Sequence, residues 1–141
     1  MRYRILVVDD DPVSRMGLQD LVAAWGYQAA SAADGTEALT RAAELAPDVV
    51  ISDLVMPGLD GLGLLAALRR EAPSPAVILL TGQGTVETAV QAMKDGAYDY
   101  LAKPVDPARL QVLLEKAVEQ AQTARELRVL RRELRQRGAF G

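Results

Sequence analysis

The chain has 141 residues, 50% of them apolar and 25% charged, with no cysteine and no histidine. That length gives one domain a real core, and the missing residue types exclude a disulfide framework, a thiolate zinc site and a cysteine nucleophile. Any metal must be held by oxygen ligands, which favours a hard cation such as Mg²⁺.

The net charge of −3 conceals a split: residues 1–107 carry 8 basic and 15 acidic side chains, residues 108–141 carry 8 and 4. The basic charges of the tail follow helical spacing and alternate with Glu126 and Glu133. They read as a solvated helix face rather than a nucleic-acid patch. No apolar stretch approaches the roughly 20 residues of a membrane span. The N-terminus lacks the length and cleavage site of a signal peptide, so no membrane contact and a cytoplasmic location are expected.

Strand-like and helix-like segments alternate along the chain. Arg4 to Val8 reads as a strand, and a helix starts near Pro12, a residue suited to a first helical turn. Its apolar face is Met16, Leu18, Leu21, Val22 and Trp25, and Gly26 ends it. A short strand from Gln28 to Ser31 follows, then a helix from Gly35 to Leu45. Val49 to Ser52 forms the third strand, the loop of residues 56–61 follows, and Leu62 to Arg70 is helical. Ala76 to Leu80 is the fourth strand and Val86 to Lys94 the fourth helix. After Gly96 comes the fifth strand, and a final helix begins near Pro107. Such alternation predicts a parallel sheet covered on both faces: an α/β, flavodoxin-like three-layer sandwich with strand order 2-1-3-4-5 and five helices. The last helix meets no proline or glycine from Pro107 to Arg137, so it is extended, about 45 Å at 1.5 Å per residue. Leu127, Leu130 and Leu134 carry its apolar stripe beyond the expected core, and a stripe of that kind finds a partner helix.

Polar residues close the apolar runs. Asp9, Asp10 and Asp11 follow the first strand, Asp53 the third, Thr81 the fourth, and Lys103 and Pro104 the fifth. Carboxyl ends of parallel strands meet along one edge of the sheet, so these residues belong to one site. Asp53 with one or two of the N-terminal acids supplies oxygens for Mg²⁺. An aspartate is also a nucleophile towards phosphorus, with Lys103 neutralising charge on the transferring group and Thr81 hydrogen-bonding one of its oxygens.

The segments Ile5-Leu6-Val7-Val8-Asp9-Asp10, residues 53–61 from Asp53 to Gly61, Leu80-Thr81-Gly82 and Tyr100-Leu101-Ala102-Lys103-Pro104 together resemble the receiver domain of two-component response regulators. The resemblance spans residues 4–120. It implies that Asp53 accepts a phosphoryl group from a cognate sensor histidine kinase, without turnover of a metabolite. It further implies Mg²⁺ ligation by Asp10, by Asp9 mainly through water, by Asp53 and by the Val55 main-chain carbonyl, with Asp11 acting as a helix cap. Lys103 is then expected to contact the phosphoryl oxygens, before a cis bond to Pro104. Thr81 and Tyr100 form a switch pair that remodels the face of the fourth helix, fifth strand and fifth helix. Val55 and Gln83 occupy positions that tune water access to the acyl phosphate.

Residues 82–90 and 93–100 are similar to receivers of the nitrogen-regulatory (NtrC) class, which are joined to an AAA+ ATPase that activates sigma-54 RNA polymerase. The expected organisation is a receiver over residues 1–120. A helical linker and dimerisation extension over 121–141 would lead towards an output domain, with a homodimer formed through the switch face, the C-terminal helix or both. A stand-alone regulator or phosphorelay intermediate is the alternative. A haloacid-dehalogenase-type hydrolase fits poorly, because its general acid would stand where Val55 is.

Overall fold

The computed structural model describes residues 2–71, 74–82 and 86–137. Five strands, β1 (Arg4–Val8), β2 (Gln28–Ala32), β3 (Val49–Asp53), β4 (Ala76–Thr81) and β5 (Asp99–Ala102), alternate with five helices. The helices are α1 (Pro12–Ala24), α2 (Gly35–Leu45), α3 (Gly61–Arg69), α4 (Val86–Lys94) and α5 (Pro107–Gln136). The strands form one sheet in the order β2-β1-β3-β4-β5, and every pairing is parallel. The expected fold class and strand order are both present.

Strand alternation divides the core into two layers. Leu6, Val8, Val50, Val77 and Leu79 point to one face and pack with Ala38 of α2, Leu64, Leu65 and Leu68 of α3, and Ala92 of α4. Ile5, Val7, Val49, Ile51, Ile78, Leu80 and Leu101 point to the other. There they meet Val22 of α1 and Leu110, Leu114, Ala117 and Val118 of α5. Successive strand residues face opposite sides, so unbroken apolar runs are what a sheet buried on both faces requires.

Among the described residues, four helices begin at an aspartate cap: Asp11, Asp34, Asp60 and Asp106 each accept from a main-chain N–H of the first turn. A carboxylate there satisfies an otherwise orphaned donor and complements the helix dipole.

Some boundaries differ from the expectation. β2, β3 and β4 each run one residue further, to Ala32, Asp53 and Thr81. Pairing continues through the polar residue, with Asp53 opposite Leu80 and Thr81 opposite Ala102. Met16 does not belong to the buried face of α1. It is 62% exposed beside exposed Val13, because the inward stripe is Leu18, Val22 and Trp25, at helical spacing. Gln83 and residues 138–141 lie outside the described residues.

Candidate functional site

The sheet order puts β1 beside β3 and β3 beside β4, so the residues closing these strands are neighbours. Asp9 follows β1 and is 2% exposed; Asp53 closes β3 at 6% and Thr81 closes β4 at 6%. Asp10 lies on the exposed side of the cluster. Carboxylate oxygens of Asp9, Asp10 and Asp53 lie within 4.8 Å of one another.

Local hydrogen bonds hold the first acid in place. The Asp9 N–H donates to the Ala32 carbonyl at 3.2 Å. Its Oδ1 accepts from the Asp11 N–H at 2.9 Å, and its carbonyl accepts from the Arg15 guanidinium at 2.8 Å. Asp11 itself turns away to cap α1, its Oδ2 accepting from the Ser14 hydroxyl at 2.8 Å. That hydroxyl bond is the main reason its carboxyl lies below the usual range.

Lys103 reaches the cluster from the loop after β5. Its Nζ stands 2.5 Å from Asp53 Oδ1 and 3.6 Å from Asp9 Oδ2. The Lys103 N–H donates to the Thr81 carbonyl at 2.8 Å, which ties this loop to β4, and the Lys103–Pro104 peptide is cis. Burial works against the lysine's charge, but the Asp53 and Asp9 carboxylates outweigh it and hold its pKa above the ordinary value.

Burial pushes the Asp53 carboxyl up to about 6, Lys103 pulls it down, and Asp9 raises it again. Asp53 Oδ1 is a buried oxygen, with the Lys103 ammonium as its close neighbour among the described residues. Three converging carboxylates, one with such an oxygen, suit a hard cation that prefers anionic oxygen ligands. The same oxygens, faced by an ammonium, also suit an incoming group whose charge needs neutralising.

Thr81 and Tyr100 border a common cavity of about 10 Å³ with Leu54, Leu79, Thr88, Ala89 and Ala92. The Tyr100 side chain is 39% exposed. Val55, two residues beyond Asp53, is 80% exposed.

Residues 5–115 match the family model of the response regulator receiver domain. The chain belongs to the receiver family. NtrX of Azorhizobium caulinodans, a nitrogen assimilation regulatory protein, is 39% identical over 133 residues, covering 93% of this chain and 29% of NtrX. ZraR of Escherichia coli, a transcriptional regulatory protein, is 44% identical over 114 residues, covering 81% of this chain and 26% of ZraR. This receiver therefore spans less than a third of the length of these curated relatives, which are regulators of the NtrC class its motifs resemble. Among solved structures, a response regulator receiver domain protein from Clostridium thermocellum superposes with a TM-score of 0.82 at 35% identity, covering 86% of this chain and 98% of the other.

The receiver's structure brings together Asp9, Asp10, Asp53 and Lys103, and places Thr81 and Tyr100 around one cavity. Two supports of the site were not visible in the sequence. Arg15 carries no signal beyond a helical charge. Ser52 read only as the last residue of the third strand, and its hydroxyl donates to the Asp53 carbonyl at 2.9 Å.

Proposed function

We propose that this receiver takes a phosphoryl group onto Asp53 from a phosphohistidine of a sensor histidine kinase, and that the modification resets the face formed by α4, β5 and α5. The observation that carries this reading is the convergence of Asp9, Asp10 and Asp53 with the Lys103 ammonium at the carboxyl edge of the sheet.

A carboxylate oxygen of Asp53 attacks phosphorus in line with the leaving imidazole; the O–P bond forms as the N–P bond breaks, and the imidazole nitrogen keeps the electron pair. Asp9, Asp10, Asp53 and the Val55 carbonyl are the residues that would hold Mg²⁺, which supplies charge neutralisation and alignment of the phosphoryl oxygens. Lys103 moves its contact from the carboxylate to the new phosphoryl oxygens. The Thr81 hydroxyl donates to another of them, and Tyr100 turns inward against the cavity the two residues share. Its present exposure suits the state before modification. The new anion favours a conformation already accessible to the chain, so this is a shift in population. Val55 offers no group to orient an attacking water, which leaves Gln83 as the polar tuning position.

The protein does not turn over a metabolite; it assists its own phosphorylation and dephosphorylation in the cytoplasm. The NtrC-class relatives support a homodimer, which in this reading is joined through the α4-β5-α5 face, the extended α5 or both. They also support control of an output domain that activates sigma-54-dependent transcription. In this reading residues 1–120 are the receiver and 121–141 the linker, with no direct contact to nucleic acid.

Intact-mass analysis after treatment with acetyl phosphate, with and without Mg²⁺, tests the proposal. A single metal-dependent phosphoryl adduct, lost in Asp53→Ala, is expected. No adduct on the wild type, or an equal adduct on the variant, defeats it.

A further inference from the structure

The carboxylate of Asp53 can be no better placed than its own main chain, and that main chain is held from two sides. On one side, the fully buried Ser52 donates its hydroxyl to the Asp53 carbonyl at 2.9 Å. On the other lies Gly61, the first residue of α3, whose N–H donates to the Leu54 carbonyl at 2.9 Å and closes the loop between them. A methyl group at Gly61 would stand 2.5 Å from the Asp53 carbonyl oxygen and 2.8 Å from Leu54 Cα. Both are main-chain atoms, so neither can swing aside as a side chain would. Gly61 is not at positive φ, so the hydrogen atom is required by the closeness of β3, not by backbone conformation.

Gly63 provides a matched contrast two residues along the same helix. A methyl there would meet Leu59 Cδ1 at 2.6 Å, the far end of a flexible side chain. Intrinsic helix propensity favours alanine over glycine, most clearly at Gly63 inside the helix. Only at Gly61 does the added carbon press on the strand that carries the reacting carboxylate.

We propose that Gly61 and Ser52 are positioning residues for phosphoryl transfer, together fixing the Asp53 carbonyl and hence both the Asp53 carboxylate and the nearby Val55 carbonyl. The proposal rests on the reading of Asp53 as phosphoacceptor. Displacing this peptide by a fraction of an ångström moves two oxygen ligands of a cation that demands near-ideal geometry at about 2.1 Å. It also moves the nucleophile out of line.

The test compares wild type with Gly61→Ala, Gly63→Ala and Ser52→Ala in three measurements: Mg²⁺ affinity by calorimetry, the rate of labelling by acetyl phosphate, and the thermal melt. Gly61→Ala is expected to melt cooperatively yet lose about 10- to 100-fold in both Mg²⁺ affinity and rate, the scale seen when the support of a metal ligand or a reacting group is disturbed. Gly63→Ala should match the wild type. Ser52→Ala, nearly isosteric, should lose several-fold in both without a matching fall in Tm. Wild-type values in Gly61→Ala, or equal losses in Gly63→Ala, overturn the proposal. If Gly61→Ala does not fold, Ser52→Ala decides: losses in affinity and rate support the proposal, and wild-type values overturn it. A wild type that takes no phosphoryl group removes the phosphoacceptor reading itself, and this inference with it. Labelled wild type with unaffected variants removes the inference alone.

Discussion

Asp48 and Arg125, 77 residues apart in sequence, form an ion pair that fastens α5 to the entrance of β3. The Asp48 side chain is nearly buried, and its other oxygen accepts from the Arg4 N–H at 2.9 Å. A second tie lies one turn earlier, where the Tyr3 hydroxyl donates to Gln122 Oε1. The last helix is thus gripped at the amino edge of the sheet, opposite the acidic cluster.

Replacing Arg125 with Ala leaves a buried carboxylate with one main-chain donor. We expect a loss of about 1–2 kcal/mol, moderated because the guanidinium is partly solvated. Asp48→Ala should cost about 2–3 kcal/mol, since it also strands the Arg4 N–H. Urea denaturation of both variants and the double variant measures the coupling; additive effects would show that the pair is energetically idle.

Asp53 carries a pH dependence with a definite sign. Its carboxyl is raised from 3.8 to about 6 in the fold, so between these values the folded state holds a proton that the unfolded chain has released. Stability from this group is therefore full below pH 3.8, declines as pH rises through about 6, and stays low above it. Asp53→Asn should then raise Tm in metal-free buffer at pH 7 and leave it nearly unchanged near pH 3.5. Thermal melts in chelator across this range check it, and a variant less stable than wild type at pH 7 contradicts it.

Lys103→Ala removes the one cation that touches both Asp9 and Asp53 among the described residues. The two carboxylates then face each other without that ammonium, so the fall in Tm from pH 5 to pH 7 should be larger in the metal-free variant than in the metal-free wild type. Phosphorylated Lys103→Ala should also fail to shift the amide resonances of α4 and β5 as the wild type does. An unchanged melt together with wild-type shifts would remove Lys103 from both roles.

Leu127 and Leu130 are 45% and 51% exposed on α5, outside both core layers. Leu127→Glu with Leu130→Glu should therefore abolish association while leaving Tm within about 1–2 °C of wild type, as surface changes usually do. Sedimentation equilibrium reads the first effect. A wild type that stays monomeric at high concentration, phosphorylated or not, would count against pairing through this helix.

The legible part of the site was the part with a periodic background. Asp9, Asp53, Thr81 and Lys103 each ended an apolar run, and parallel pairing does the rest, because carboxyl ends of neighbouring strands must converge. Asp48 gave no such signal. It stood next to a strand like any solvated acid, and Arg125 looked like one more charge on a polar helix face. Their partnership depends on where α5 crosses the sheet, a tertiary distance with no local trace. Met16 misled for a related reason: two residues before Leu18, it is turned about 160° away from the inward stripe of the helix.

Beyond Arg125, α5 has a mechanical character of its own. From Glu126 to Gln136 it continues for about 16 Å as α-helix. A rotation of about 10° at its root would sweep the far end through roughly 3 Å. The geometry is that of a gear: small adjustments where α5 meets β3 and β4 would become a displacement of atomic dimensions at the far end. The Asp48–Arg125 pair sits at the fulcrum.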